Sequence, residues 1–474
     1  MPQQRLLIRI DRPRGRRSSR VGVFIVALAI ALSAGAVMAA VAGAGGSSRP
    51  PLWLHQWTPA GADFFVGAGL ARAATGDLFV AGGLHRDASG HYDWCVSRYS
   101  GTGSRKWVRT LATPGYDHWA YAVGADAAGN VIVAGTVNTA THNQDWLVAK
   151  WSRAGKLLWK RQLDGTAHGV DLANDVAVAS DGSIVVVGTT NDTGTYDDGL
   201  IVKYSPAGKL LWKHVYDGAA HGSDAFLAVA LDTAGNAYAA GDDYSAARAD
   251  DGLLIRYSPK GRVLWTRRYG NAVALKHERF LDVAVRGSYV AVAGITQSDS
   301  VASNWEDRGL VIKYSTVHGT RQWVRQFVNP TDPLRDADWN LVGIDGKGRV
   351  AVAGTCATSA VNGEEAWTTA VYSTAAKMGP VQVMQGTFAQ GNSPSALVST
   401  AGGAVFETGC LANTGASEDL YTLALSSGGL LRWLGRVDDT NHANDSGCGL
   451  VATSKAVYVG ASCYRNLALA KYAR

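Results

Sequence analysis

The chain has 474 residues, of which 47% are hydrophobic and 18% are charged, a composition that excludes a disordered chain or a coiled coil. The formal net charge of +6 comes from the first 20 residues, which hold seven arginines and one acidic residue. The remaining 38 basic and 38 acidic residues balance, which leaves no electrostatic basis for nucleic-acid binding.

The basic segment at residues 1–20 is followed by 24 uncharged residues at 21–44. This run is long enough to cross a bilayer as a helix, and its second half has Ala-x-Ala sites at 40–42 and 42–44. Two interpretations stay open: a cleaved signal peptide, or an uncleaved anchor with its arginines in the cytoplasm. Either one predicts that the rest of the chain, after a linker at 45–51, is extracellular, secreted or tethered through 21–44. No other contact with the membrane is expected.

Residues 52–474 carry a pattern that repeats about every 53 residues. Each unit has a second apolar strand that ends near a glycine, a third that ends in an aromatic residue, and a fourth that contains tryptophan. The glycine recurs at Gly82, Gly135, Gly188, Gly241, Gly294, Gly354, Gly409 and Gly460. The tryptophan is assigned to Trp57, Trp107, Trp159, Trp212, Trp265, Trp323 and Trp433, with Val383 in the copy that lacks it.

Four short strands per unit, named a to d, predict an all-β, eight-bladed β-propeller over 52–474. Strands b and c are apolar on both faces, as in Ile184–Val187, so each small sheet must be sandwiched between neighbours. The chain starts with a lone d strand and ends with a lone a–b–c set. We therefore expect the N-terminal strand to complete the eighth blade, with no second domain.

The unit spanning Asp126–Thr136, Asp145–Ser152 and Gly155–Trp159 resembles the SBBP β-propeller repeat of bacterial exported proteins. The resemblance covers roughly the whole of 52–474. It implies the propeller fold, and it implies no single activity because such repeats serve varied surface and binding roles.

The Gly-x-x-x-Trp element is also similar to the tryptophan-docking motif of eight-bladed quinoprotein dehydrogenases. Those enzymes support their quinone with a vicinal disulfide or an equivalent floor, beside a calcium site with a catalytic Asp. This sequence has no adjacent cysteine pair. The resemblance therefore implies the scaffold, and no cofactor is expected.

An aspartate recurs six residues before the aromatic of strand c. Its simplest role is to cap the start of that strand. The alternative is calcium bound in acidic loops such as 191–198, although the spacing matches no complete calcium-loop motif, so no metal is expected. The recurring residues are Asp93, Asp145, Asp198, Asp251 and Asp419.

The long d–a and b–c connections should lie on one face, where a ligand site is expected near the mouth of the channel. The loop at 114–121 combines rings with a carboxylate, which suits stacking on sugars but also suits a plug over the channel. His118, Asp171, Asp224 and His277 follow one another at steps of 53 residues. They could bind a metal or an anion, or could be plain loop structure. The candidate ligand-binding residues are Tyr116, His118, Trp119, Asp171, Asp224, His277 and Trp339.

The five cysteines allow disulfides if the chain is exported. Cys448 and Cys463 should face each other across the hairpin of the last blade, which predicts a bridge. A bridge between Cys356 and Cys410, on neighbouring blades, is a second option. Cys95 should be a buried thiol, and none of the five has the setting of a catalytic nucleophile.

These features favour a monomeric, non-enzymatic extracellular propeller that recognises a protein or glycan at the cell surface. No catalytic residue is assigned, because the sequence carries no known catalytic motif. The alternative is a hydrolase or lyase acting on polysaccharide, which predicts carboxylates or histidines with raised pKa values at the channel mouth. A structural role in the envelope is the remaining option.

Overall fold

The computed structural model describes most of the repeat region, and no α-helix occurs among the residues it describes. None of those residues forms a helix suited to crossing a bilayer. Segments 1–20 and 21–44, with the interpretations placed on them, lie outside the described residues. The described ranges are 47–57, 64–85, 91–112, 116–139, 144–192, 196–245, 249–270, 277–297, 307–328, 336–357, 365–384, 392–413, 417–437, 445–463 and 466–474.

The strands form eight sheets of four antiparallel strands each, which confirms the predicted eight-bladed propeller. The strands of blades 1 to 4 are Phe64–Arg72, Leu78–His85, Tyr92–Tyr99 and Arg105–Leu111; His118–Ala125, Val131–Asn138, Gln144–Trp151 and Leu157–Leu163; Leu172–Val178, Ile184–Thr190, Asp198–Tyr204 and Leu210–Tyr216; Ala225–Leu231, Ala237–Ser245, Ala249–Tyr257 and Val263–Tyr269. Those of blades 5 to 7 are Glu278–Arg286, Tyr289–Gln297, Asp307–Ser315 and Arg321–Phe327; Leu341–Ile344, Val350–Ala357, Glu365–Tyr372 and Gln382–Met384; Ser393–Ser399, Val405–Asn413, Ser417–Leu425 and Leu431–Val437. Blade 8 consists of Asp445–Ala452, Ala456–Cys463, Asn466–Ala473 and the N-terminal strand Trp53–Trp57, and Ser47–Ser48 pairs in parallel with strand d of blade 7.

The N-terminal strand pairs with strand c of blade 8, so that Trp53 lies opposite Lys471 and Trp57 opposite Leu467. In blade 1, the repeat tryptophan Trp107 lies opposite Arg98, the residue before the strand c aromatic. Lys471 likewise precedes the aromatic Tyr472. Trp53 therefore occupies the repeat position, and the assignment of Trp57 to it is wrong.

Eight clusters of buried side chains each join two neighbouring blades, as the two apolar faces of strands b and c require. One cluster brings Leu70 and Leu78 of blade 1 against Leu467 and Leu469 of blade 8. The ring of blades is therefore complete.

The strand d tryptophans lie at the seams between blades. The indole of Trp159 packs against the turn glycine Gly208 of the next blade, and its Nε1 donates to the carbonyl of Pro206 at 3.1 Å. Lys150 donates to the same carbonyl at 3.1 Å. Because the arrangement recurs from blade to blade, the interpretation of these tryptophans as inter-blade packing is confirmed.

The repeat glycine of strand b faces a β-bulge in strand a. In blade 4 the bulge lies between Phe226 and Ala228, opposite Gly241. A Cβ atom at Gly241 would lie 1.9 Å from the carbonyl oxygen of Ala225, so only glycine fits. The bulge also turns strand a toward the axis, where Leu227 lines the central channel.

Candidate functional site

The long loops of neighbouring blades are joined by backbone hydrogen bonds on one face of the ring. The loop before strand a of blade 3 is held by the Asp171 N–H, which donates to Gln144 O at 2.6 Å. Asp224 N–H donates in the same way to Asp197 O at 2.7 Å, one blade later. We call this surface the loop face.

Three half-buried rings, those of His85, Tyr92 and Trp119, are in contact at the junction of blades 1 and 2, and the half-buried Tyr116 lies three residues before Trp119. We call these four residues the aromatic rim. Tyr92 and Trp119 lie with ring centroids 3.9 Å apart and planes at 32°, and Tyr92 contacts His85 edge-on at 5.0 Å. Asp117 orders the junction, because its Oδ1 accepts the Tyr92 N–H at 2.8 Å.

The aromatic rim contains two predicted residues, Tyr116 and Trp119, and two that the sequence reasoning missed, His85 and Tyr92. The sequence did contain a signal for Tyr92, because the residue is aromatic only in this blade among the first four. The equivalent positions of the next three blades hold Gln144, Asp197 and Asp250 instead of an aromatic residue.

His118 is 1% exposed, so it lies inside the junction and not at the surface. Its Nδ1 is 3.2 Å from the carbonyl oxygen of Tyr116. Burial lowers the pKa of His118 and so favours its neutral form, and the contact with the Tyr116 carbonyl positions the loop that carries Tyr116.

Asp171 and Asp224 are each buried within a cluster of three carboxylates at successive blade junctions. The first cluster is Asp145, Asp164 and Asp171, and the second is Asp198, Asp217 and Asp224, with one ligand oxygen per residue within 4.8 Å of the others. Asp164 and Asp217 were missed by the sequence reasoning because they lie in the loops that follow strand d.

The remaining two predicted residues lie at other junctions. His277 Nδ1 is 2.8 Å from Asp250 Oδ2, which raises the pKa of His277. Trp339 is fully buried against Phe327, with ring centroids 4.7 Å apart, and presents no face to a ligand in this structure. The seven predicted residues therefore lie at successive blade junctions, and their role in binding a ligand stays a prediction.

The carboxylates of the second cluster have raised pKa values. Burial, followed by the charges of Asp217, Asp192 and Asp197, raises the pKa of Asp198 to about 6. Burial also raises the pKa of Asp224 to about 7, although its carboxylate accepts the N–H groups of Gly218 and Tyr244.

The central channel has a volume of about 390 Å³ and is lined by strand a of every blade. Two carboxylates in its wall bridge neighbouring blades. Asp175 accepts the N–H of Val229 at 2.8 Å, and Asp282 accepts that of Val342 at 2.7 Å. Burial raises the pKa of Asp175 to about 6 and that of Asp282 to about 7.

We expect Asp282→Ala to destabilise the fold by about 2 to 4 kcal/mol, because it leaves the N–H groups of Val283 and Val342 without acceptors. Urea unfolding measures the loss. Ser395→Ala, in the same channel wall, is the control and should change stability little. Equal stability of both variants would show that water replaces the carboxylate without cost.

No disulfide joins the cysteines whose side chains the structure describes. Cys356 Sγ lies 3.0 Å from Thr368 Oγ1, and Cys410 Sγ lies 3.7 Å from Ser393 Oγ. Cys95 is buried. Cys448 is a buried thiol in the bulge of strand a, whereas the backbone of Cys463 pairs with Asp445. This register disfavours the predicted bridge, which stays a prediction because the Cys463 side chain lies outside the described residues.

A family profile described as "Outer membrane protein assembly factor BamB" matches residues 197–434, half of the chain. The chain belongs to this family. The match to the BamB family extends from the start of strand c in blade 3 to strand d of blade 7. It identifies the quinoprotein-like class of propeller, and the SBBP repeat type stays a prediction.

The BamB-family chain resembles other propellers in fold. A crystal structure of Sqt1 from Chaetomium thermophilum has a TM-score of 0.55 at 9% identity and covers 87% of this chain and 98% of that one. A second Sqt1 structure, solved by molecular replacement, has a TM-score of 0.54 at 10% identity and covers 87% and 97%. No curated protein matches the sequence significantly. Identities this low show the fold alone.

Proposed function

We propose that this BamB-family propeller is an exported, non-enzymatic scaffold that binds a protein partner in the cell envelope through its loop face. The family description names an assembly factor of outer membrane proteins, which supports both a protein partner and an envelope location. The basic and apolar segments at 1–20 and 21–44 support export, followed either by cleavage or by retention as an anchor.

The observation that carries the proposal is the aromatic rim of His85, Tyr92, Tyr116 and Trp119. Half-exposed aromatic rings provide large contact areas at protein interfaces and lose little conformational entropy on binding. Here Asp117 and the contact between Tyr92 and Trp119 already hold these two rings in place. A preorganised patch of this kind needs little rearrangement to bind a partner.

The proposal includes finer features of the architecture. The N-terminal strand Trp53–Trp57 closes the ring as the outer strand of blade 8, and its pairing with Asn466–Ala473 supports this role. The repeats are of the SBBP type, and the propeller acts as a monomer. Asp171, Asp224 and His277 order the corresponding loops at the following blade junctions.

The rim is tested by placing a photo-crosslinking amino acid at Tyr116 of the full-length chain in the producing cells. We expect one discrete protein adduct, and we expect Trp119→Ala to reduce it at least ten-fold because it removes the neighbouring ring. Tyr196→Ala is the matched control, since Tyr196 is an exposed aromatic residue of another loop and should leave the adduct unchanged.

The same crosslinker at Lys260, in an exposed turn on the opposite face, controls for collisions. Equal adducts from both positions, or an adduct that Trp119→Ala leaves intact, would contradict the rim as the contact. A glycan array probed with the full-length chain separates the two ligand classes. Binding to the array that Tyr116→Ala and Trp119→Ala abolish would replace the protein partner with a glycan.

A further inference from the structure

We propose that Asp198, Asp217 and Asp224 bind a Ca²⁺ ion at the junction of blades 3 and 4. The three residues come from separate parts of the chain. Asp198 begins strand c of blade 3, Asp217 follows strand d of the same blade, and Asp224 precedes strand a of blade 4. One carboxylate oxygen of each lies within 4.8 Å of the other two, a spacing over which one cation can contact all three.

Asp198 distinguishes this cluster from an ordinary group of acidic residues. Its side chain is 2% exposed, yet its carboxylate accepts no hydrogen bond from a residue that the structure describes. The other two carboxylates have partners: Asp224 accepts two backbone N–H groups, and Asp217 pairs with His221 at 2.7 Å. A buried carboxylate without a donor is costly unless a cation neutralises it.

The surrounding charge is also unbalanced. Among the described residues, the exposed His221 is the basic side chain that pairs with the cluster, through Asp217. Asp192 and Asp197 add negative potential at Asp198. A bound cation would offset the repulsion between these carboxylates.

In two other blades the aspartate equivalent to Asp198 has a side-chain partner from strand d. In blade 2 the Gln162 amide donates to Asp145 at 2.5 Å, and in blade 7 Arg436 lies 2.6 Å from Asp419. The equivalent position in blade 3 is Val215, which pairs with Leu200 as Gln162 pairs with Leu147. Valine has no donor, so blade 3 has the acidic cluster without the side chain that satisfies it elsewhere.

The ligand chemistry favours Ca²⁺ over other cations. All three side chains offer hard carboxylate oxygens, whereas Zn²⁺ prefers nitrogen and sulfur ligands. Ca²⁺ accepts irregular oxygen cages completed by backbone carbonyls and water, while Mg²⁺ demands near-octahedral geometry and dehydrates reluctantly. The bound ion would join strand c of blade 3 to the loop 217–224 and so stiffen the loop face.

The experiment measures binding of radioactive Ca²⁺ by equilibrium dialysis to the full-length chain, after treatment with a chelator. We expect one site per chain, with a dissociation constant of about 10⁻⁴ M, typical of extracellular calcium modules. Val215→Gln should weaken binding at least ten-fold, because the new amide can satisfy Asp198 as Gln162 satisfies Asp145. Ser223→Ala, an exposed change in the same loop, is the control.

Two further variants keep the test decisive. Gln162→Val removes the donor from the first cluster and should create a second Ca²⁺ site, a gain that general damage to the fold would not produce. Asp198→Asn should abolish the original site. Absence of binding, or binding that Val215→Gln and Asp198→Asn leave unchanged, would overturn the proposal. Excess Mg²⁺ should displace the ion poorly, and equal competition would overturn the assignment to Ca²⁺.

Discussion

Replacing Gly241 with alanine is expected to destabilise the propeller by at least about 3 kcal/mol. The new Cβ would lie 1.9 Å from the carbonyl oxygen of Ala225 and 2.8 Å from its carbonyl carbon. Both atoms belong to the backbone of strand a, which is held in place by the bulge and by the neighbouring blades. Neither can move aside as a flexible side chain would, so the a–b pairing of blade 4 must distort.

Urea unfolding of the two proteins, followed by tryptophan fluorescence, measures this loss. Gly402→Ala is the matched control, because a Cβ at this exposed turn position meets no atom within 4 Å. It should change the free energy of unfolding by less than about 0.5 kcal/mol. If the two variants are equally stable, the bulge does not require the repeat glycine.

The second large effect is a loss of stability with rising pH that depends on Glu407. This residue is completely buried in strand b of blade 7, where other blades have residues such as Val186 and Val292. Burial raises the pKa of Glu407 from 4.5 to about 8, although Thr369 donates to its carboxyl group at 2.7 Å. The side chain is therefore protonated in the folded protein at neutral pH.

Between pH 4.5 and about 8 the folded chain retains this proton while the unfolded chain has released it. The contribution of Glu407 to stability is therefore complete below pH 4.5 and is lost progressively up to about pH 8. A shift of this size corresponds to a loss on the order of 5 kcal/mol across the window. Asp175 and Asp282 of the channel wall also have raised pKa values and change stability in the same direction, so the effect of Glu407 must be isolated by mutation.

Glu407→Gln provides that isolation, because glutamine keeps the shape and can accept the Thr369 hydroxyl without titrating. We expect the variant to match the wild type near pH 5 and to be more stable at pH 9. Denaturant unfolding at intervals of one pH unit gives the two curves. Parallel curves would mean that Glu407 ionises inside the core at its ordinary pKa.

The repeat spacing was sufficient to predict the propeller and the inter-blade tryptophans. These predictions depend on local or periodic signals, namely strand alternation, turn glycines and residues that recur every 53 positions. Such signals are recognisable without knowledge of the fold. The same reasoning placed the repeat tryptophan of blade 8 at Trp57 instead of Trp53, because the lone strand offers no neighbouring turn from which to count its register.

The candidate site was predicted less well, because it depends on contacts between blades. Recurrence at 53-residue steps identified Asp171 and Asp224, but their partners Asp164 and Asp217 lie in loops whose paths the sequence does not specify. Trp339 was selected as an unusual aromatic residue, yet it is fully buried. A residue without counterparts in the other blades is unusual, but this does not show whether its side chain is exposed to solvent.

The sequence by itself determined the number of blades, the order of strands within them and the recurrence of a glycine in strand b, since these are periodic features of the chain. Only the tertiary structure decided that Tyr92 contacts Trp119, that Asp198 meets Asp217 and Asp224 with no donor among the described residues, and that Glu407 is enclosed between blades. Burial and charge at those positions arise from the packing of neighbouring sheets and loops, so they depend on three-dimensional contacts that the spacing of residues along the chain does not specify.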